Sequence, residues 1–319
     1  MMARFAIKTL EFDKVKAMLA QKAGTFLGKQ AIGELRIESD FMKVQRLLEE
    51  TAEAVRILDE GKRFPFGGAF NIEAEVRRAQ LGSTLLPEEL LHVMTTAAAI
   101  RSMKQFLAEN EENAPALQDY GRDMQIFSRL EKQIEQAIDD HGEIKDNASP
   151  KLNGLRNAIV IAKNRVKEKL DSILHDPNNQ KYFMDNLVTM RGDRYVIPIK
   201  QEYKMNFPGI VHDQSGTGAT LFIEPMAVVN LNNDIKRYVA EEREEVERIL
   251  RQLTQNVGQE AEALLASLER FTALDVICAK AYLAQEQHAV RPMLSVNGGV
   301  DIVQGRHPLL NQDTVVPLD

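Results

Sequence analysis

Four cations cluster near the middle of the chain: Arg191, Arg194, Lys200 and Lys204, with Tyr195, Tyr203 and Phe207 interleaved and Asp193 and Glu202 opposing them. Arginine and lysine on a hairpin can neutralise phosphates, and a tyrosine ring can stack on a base or a sugar. The same pattern also suits a small β-module whose tyrosines fill its core and whose charges keep its edge strands soluble. Both readings stand at this point. A second set, Lys163, Lys167 and Lys169, belongs to a strip from Lys145 to Leu170 that also holds Lys145, Lys151, Arg156 and Arg165, against only Asp146 and Glu168. A solvated helix face is the simpler account of such a strip, and a phosphate track the sharper one.

Other chemistry is hard to assemble from the residue types. The histidines His92, His141, His175, His212, His288 and His307 lie far apart, with no metal-ligand spacing such as HExxH. Ser215-Gly216-Thr217-Gly218 is glycine-rich, but it has no lysine to reach a phosphate and does not open a helix, so it reads as a hairpin turn. The carboxylates fall on helix faces where solvation explains them. No catalytic, cofactor or metal residue is assigned within the chain.

With 319 residues, 44% hydrophobic and 27% charged, the chain is long enough for about two domains with a real core. One cysteine, Cys278, excludes an internal disulfide framework and a cysteine-only zinc site, which fits a reducing cytoplasm. No run reaches the ~18 apolar residues of a membrane helix, and the N-terminal stretch lacks a signal-peptide core. The net charge of −7 argues against a general nucleic-acid sponge, because non-specific affinity comes from neutralised phosphates.

The elements that must position the tip cations are two hairpins between Leu187 and Pro225. Leu187–Met190 and Tyr195–Ile199 are rich in strand-forming residues, and Gly192-Asp193 between them predicts a type II′ turn. Pro198 argues for an edge strand. Gly209–His212 and Ala219–Ile223 form the second pair of arms, with Ser215–Gly218 as their turn. Around this module the pattern is helical. Helices are expected from Phe12, around Leu27–Leu35, from Leu47 to Leu58 with Gly61 ending it, over Asn71–Gln80, from Pro87 to Ala108 and over Ile126–Asp139. A further helix starts at Ser149-Pro150, a capping serine before a first-position proline, and stops at Asp176-Pro177.

After Pro225 no proline interrupts a helical run until Pro292, and its stripe from Val228 to Ala281 has near-coiled-coil spacing. Some 60 residues at ~1.5 Å each would extend ~90 Å. The expected solution pairs the first half antiparallel with the Pro150–Leu174 helix, and returns the rest, past Gly258, to the N-terminal bundle. The fold class is therefore mainly α: a helical core bundle with an inserted antiparallel two-helix arm carrying a small antiparallel β-rich tip. From Ser295 onward the character changes again, with a strand expected over Val300–Val303.

The order of these parts, and several local stretches, resemble the MutS family. The stretches are Thr9-Leu10-Glu11-Phe12, Asp146-Asn147-Ala148-Ser149-Pro150-Lys151-Leu152, Arg191-Gly192-Asp193-Arg194-Tyr195-Val196-Ile197-Pro198-Ile199-Lys200, Val211–Gly216 with Phe222–Pro225, and Gly305-Arg306-His307-Pro308. Within that family the chain is similar to the second bacterial paralogue, the branch that suppresses recombination and usually carries a C-terminal Smr nuclease domain. The resemblance implies a lever in residues 1–149 and 258–292, a rising arm helix in 150–176, a β-rich clamp in 177–225, a returning helix in 226–257 and the start of an ATPase domain in 293–319. It further implies ATP and Mg in an ATPase domain outside this chain, a homodimeric full-length protein, and branched DNA or the ribosome with its rRNA as partners, without a membrane. Suppression of homologous recombination and rescue of collided ribosomes are the implied roles. Mismatch repair is not expected, because the chain starts directly in the helical core, and Phe222-Ile223-Glu224 reads as a chance F-x-E. The rival expectation is a coiled-coil scaffold or dimerisation arm that touches no nucleic acid.

Overall fold

The computed structural model describes residues 9–296, 299–311 and 314–319. The helices before the sheet are α1 (Phe12–Lys22), α2 (Phe26–Gly33), α3 (Phe41–Asp59), α4 (Glu73–Gln80), α5 (Pro87–Glu109), α6 (Pro115–Asp123), α7 (Ser128–Ala137) and α8 (Pro150–Leu174). Strands β1 (Thr189–Arg191), β2 (Arg194–Lys200), β3 (Gly209–Gln214) and β4 (Thr220–Pro225) follow, and then α9 (Val229–Gln259) and α10 (Ala261–Glu286). The chain is mainly helical with one small antiparallel sheet, as its periodicity predicts. Its contacts divide it into two compact units, one from the residues up to Glu135 with those from Gln252 onward, the other Gln136–Arg251.

The first unit is organised around α10. Leu264, Leu268, Phe271, Leu274, Cys278 and Ala281 form its apolar stripe, and Ser267, Asp275, Val276 and Ala279 are buried as well. A helix buried on most sides must be enclosed by others. Phe271, with no exposed surface, meets Phe66 edge-on at 5.3 Å and shares a cluster with Ile57, Ile100, Met103 and Leu117. Buried carboxylates tie the helix starts to this core. Asp275 accepts from the backbone N–H of Gly24 and Thr25 at 2.7 and 2.8 Å, and Thr25 in turn caps α2 by accepting from the Gly28 N–H at 3.0 Å. Glu53 accepts from Ala116 and Leu117 at the N-terminus of α6, where orphan N–H groups and the helix dipole favour a carboxylate.

In the second unit α8 and α9 run antiparallel, as their partners show. Ser149 caps α8 through the Leu152 N–H at 3.0 Å and donates its hydroxyl to Glu245 at 2.8 Å. Arg156, further along α8, reaches Glu242, earlier on α9, at 2.8 Å. Beyond it Ala162, Val166 and Leu170 share a core with Leu231 and Ile235. That core continues into the sheet, ordered β1-β2-β4-β3, through Tyr195, Ile197, Ile199, Leu221 and Ile223.

Several local expectations are corrected. The Gly192-Asp193 turn has φ of +52° and +61°, positive at both central residues, so it is of the I′ kind rather than II′. Aspartate tolerates this left-handed region better than most side chains, and the twist of such a turn matches that of the strands it joins. β2 is an interior strand, not an edge. Its first half pairs with β1 as far as Thr189↔Val196 and its second half with β4, so Pro198 lies beyond the β1 ladder, where its carbonyl accepts from Met184 N–H at 3.0 Å. The run after Pro225 is not one helix but two, broken at Glu260 just past the point where Gly258 packs against the Ala79 carbonyl. Helix α6 is an element the expected set omits. The strand expected over Val300–Val303 does not form. Its side chains are exposed, and the bridge in this segment joins Gly305 to Leu318 instead.

Candidate nucleic-acid interface

The seven expected contact residues do not form one patch. Arg191 and Arg194 lie at the hairpin-turn end of β2, and Lys200 and Lys204 at its other end, six residues or ~20 Å of strand away from Arg194. Both arginines are committed internally. Arg194 donates one terminal nitrogen to Glu224 at 2.7 Å and the other to Asn233 at 2.7 Å. The Arg191 guanidinium lies 3.9 Å from the Phe222 ring centroid, pairs with Asp213 at 3.0 Å and donates to the Met190 carbonyl at 2.8 Å.

Glu224 is the hub of that end, with no exposed side-chain surface. Its carboxylate receives Arg194, the Asn232 amide at 2.8 Å and His212 Nε2 at 2.6 Å. His212 reaches it because β3 bulges there. The register passes from Val211↔Ile223 to Asp213↔Phe222, leaving His212 as the extra residue whose side chain is re-aimed. Asn232 also donates to the Tyr195 carbonyl and accepts from its N–H, which ties the first turn of α9 to β2. Three side-chain donors satisfy a buried carboxylate that would otherwise be costly. Nothing in the sequence marks these partners, which lie on β2, β3, β4 and α9.

At the Lys200 end the cations are less encumbered. Lys204 is exposed on the 3-10 turn Gln201–Asn206, and Lys200, half-buried, approaches only the Lys181 carbonyl at 3.4 Å. Lys181, exposed, stands 5.0 Å from the centroid of the Tyr182 ring, and that ring meets Tyr203 edge-on at 5.3 Å. Both tyrosines are half-buried, resting on the sheet core with part of each ring open. Tyr195 and Phe207, in contrast, are 9% and 6% exposed and serve the core. The stacking reading therefore holds open for Tyr203 and not for those two. Lys181 and Tyr182 are additions. The sequence signal that could have found them is the mirrored pair Lys181-Tyr182 and Tyr203-Lys204.

Along α8, Lys163, Lys167 and Lys169 are exposed, and none has a carboxylate partner among the described residues. At 100° per residue Lys163 and Lys167 fall on one flank of the buried stripe and Lys169 with Arg165 on the other. Of the strip's other cations, Lys151 pairs with Glu245 at 3.4 Å, and Arg156 with Glu242, Asp146 and the Ile144 carbonyl, whereas Arg165 is exposed without a carboxylate partner among the described residues. Over 177–225 Lys181, Arg191, Arg194, Lys200 and Lys204 are balanced by Asp185, Asp193, Glu202, Asp213 and Glu224, so the tip as a whole is neutral. Its local cation density sits at the Lys200 end. Among the described residues no three His, Cys, Asp or Glu side chains are grouped to hold a metal ion, and no helix is long and apolar enough to cross a membrane.

No family model matches the chain. Curated relatives do. A protein named Endonuclease MutS2 from Geobacillus sp. (strain WCH70) is 44% identical over 316 residues, 98% of this chain and 40% of that protein. Its namesake from Symbiobacterium thermophilum is 44% identical over 313 residues, 98% and 39% of the two chains. That from Bacillus velezensis is 37% identical over 321 residues, covering 100% and 41%. The chain thus spans about two fifths of the length of the relatives it matches.

Proposed function

From the homology of this chain to the MutS2 proteins, which it matches over about two fifths of their length, we propose that it is the lever-and-clamp region that grips nucleic acid for a longer enzyme. The observation that carries this reading is the set of lysines without a carboxylate partner among the described residues, with Lys181 and Lys204 exposed and Lys200 half-buried at one end of the sheet and Lys163, Lys167 and Lys169 exposed along α8. Lysines without carboxylate partners are available to phosphates. Lys200 and Lys204, with Lys163, Lys167 and Lys169 along the arm, make the contacts. Arg191 and Arg194 hold the sheet in the shape that presents them.

The relatives are named endonucleases. Cleavage, ATP and Mg binding, and pairing of two copies are proposed to belong to parts of the full-length protein outside this chain. Branched DNA during recombination and the rRNA of collided ribosomes are the proposed substrates of the grip, in a reducing cytoplasm that suits a lone buried thiol. The test is binding of the purified chain to labelled four-way-junction DNA, challenged with ribosomes. Displacement by ribosomes supports ribosome rescue, and retention on the junction supports recombination suppression. In either case Lys200→Glu with Lys204→Glu is expected to weaken binding at least ~10-fold, about 1.4 kcal/mol.

A scaffold without nucleic acid is the second reading, favoured by the neutral tip and by exposed Val160 and Ile161 on α8. Under that reading the lysine variants bind as well as the parent chain, and the chain self-associates without regard to salt.

A further inference from the structure

Resting on the nucleic-acid reading of the clamp, we infer that the Lys200 end of the sheet takes unpaired nucleotides, not the outside of a duplex. Bases lie against Tyr182, Tyr203 and Met205 while Lys181, Lys200 and Lys204 hold the neighbouring phosphates.

Met205 is 91% exposed, on the 3-10 turn Gln201–Asn206, between Lys204 and Asn206. A duplex presents phosphates and sugars to a convex protein tip, and its base faces are buried in the stack. An apolar side chain meets a duplex only at a thymine methyl or by wedging between base steps, and the wedge costs a few kcal/mol of unstacking. An unpaired nucleotide offers a free aromatic face that stacks on aromatic or apolar side chains. Two such surfaces belong to the same end of the sheet, Tyr203 on the 3-10 turn that carries Met205 and Tyr182 against Tyr203. The Tyr182 and Tyr203 rings are 5.3 Å apart and half-buried, and the core beneath them holds their planes, Phe207 meeting Tyr182 edge-on at 6.1 Å. Rings fixed from below lose little conformational freedom when a base lands on them. Lys181 already lies over the Tyr182 ring at 5.0 Å, which shows that the ring's face is reachable by a cation and keeps a phosphate-binding group beside it.

Charge points the same way. The tip as a whole is neutral, so its phosphate contacts are confined to Lys181, Lys200 and Lys204 at this end, and stacking, at roughly 1–3 kcal/mol per base, is the source of affinity that adds to them. DNA and RNA share that chemistry, so both qualify as the source of the unpaired bases.

The experiment measures binding of the whole 319-residue chain to four fluorescent probes: an unstructured DNA strand, the RNA of the same sequence, the corresponding duplex, and an abasic DNA strand of equal length. The inference predicts that an unpaired strand binds at least ~5-fold tighter than the abasic strand, the lower end of one stacked base, and tighter than the duplex. Met205→Gln and, separately, Tyr203→Leu then weaken base-bearing strands several-fold and leave the abasic strand unchanged. Met205 is so exposed that its variant has no packing to lose. A DNA or an RNA preference identifies the source, and either supports the inference. Equal binding of abasic and base-bearing strands, or tighter binding of the duplex, overturns the inference while leaving the nucleic-acid reading intact. No binding to any probe overturns both.

Discussion

Arg194 and Glu224 form an ion pair at 2.7 Å in which the carboxylate has no exposed surface and the arginine side chain only 20%. Such a pair fixes geometry more than it adds stability, and losing one partner strands the other. Arg194→Ala is therefore expected to destabilise the second unit by roughly 1–3 kcal/mol, because Glu224 loses one of three donors and keeps Asn232 and His212. Chemical denaturation followed by circular dichroism measures it. The same variant assayed well below its unfolding midpoint should bind nucleic acid within a few-fold of the parent chain, because the guanidinium is already spent on Glu224 and Asn233.

Glu245 gives the α8–α9 pair an acid-sensitive joint. Its side chain is 2% exposed, and Arg248 foremost, with help from the Ser149 hydroxyl and Lys151, holds its pKa down to about 2 from the ordinary 4.5. A carboxylate whose folded pKa is depressed contributes stability that is fully present above the ordinary value and is lost as pH falls through the folded one. The loss should therefore run from about pH 4.5 to about pH 2. Glu245→Gln should flatten the difference in unfolding free energy across that window, and at neutral pH it should cost about 1–3 kcal/mol for the weakened buried partners.

Two glycines in long helices should respond to alanine with opposite signs. A Cβ on Gly258 would lie 2.8 Å from the Ala79 carbonyl oxygen, and both groups are backbone-fixed. Overpacking of about 1–3 kcal/mol outweighs the ~1 kcal/mol gain in helix propensity, so Gly258→Ala lowers the melting temperature. A Cβ on Gly154, inside α8, would meet nothing within 4 Å. Gly154→Ala should stabilise by up to about 1 kcal/mol.

Cys278 is 1% exposed on α10, and burial together with the nearby Asp275 raises its thiol pKa well above the ordinary range. Only the thiolate attacks. The native chain should leave an aromatic disulfide reagent unreacted at neutral pH, and the denatured chain should consume one equivalent.

The elements that were legible in the sequence are those set by local signals. Ser149-Pro150 starts α8 where expected, Asp176-Pro177 follows its end, and Gly218, at φ +76°, closes the turn between β3 and β4. The stripe through Leu264, Phe271 and Cys278 is the buried face of α10. Long-range partners were not legible. Arg194 and Lys200 look alike in sequence, and only the folding of β3, β4 and α9 around Glu224 turns one into an internal tie. Tyr195 and Tyr203 are separated in the same way, by whether the side chain falls beneath the sheet or at its end. The turn type at Gly192-Asp193 and the break at Glu260 depend on strand twist and on close backbone packing, which residue types alone do not specify.

The central claim is that lysines of the clamp and arm grip phosphates, and the salt dependence of binding tests it most directly. Affinity of the chain for a labelled DNA junction, measured over a series of salt concentrations, should fall linearly on logarithmic axes. Each contacting lysine contributes roughly 0.9 to the slope on duplex DNA. Replacing Lys200 and Lys204 with alanine should reduce the magnitude of that slope by about 1–2, whereas Arg194→Ala should leave it unchanged. A slope near zero in the parent chain, or one that the lysine replacements do not alter, would contradict the account.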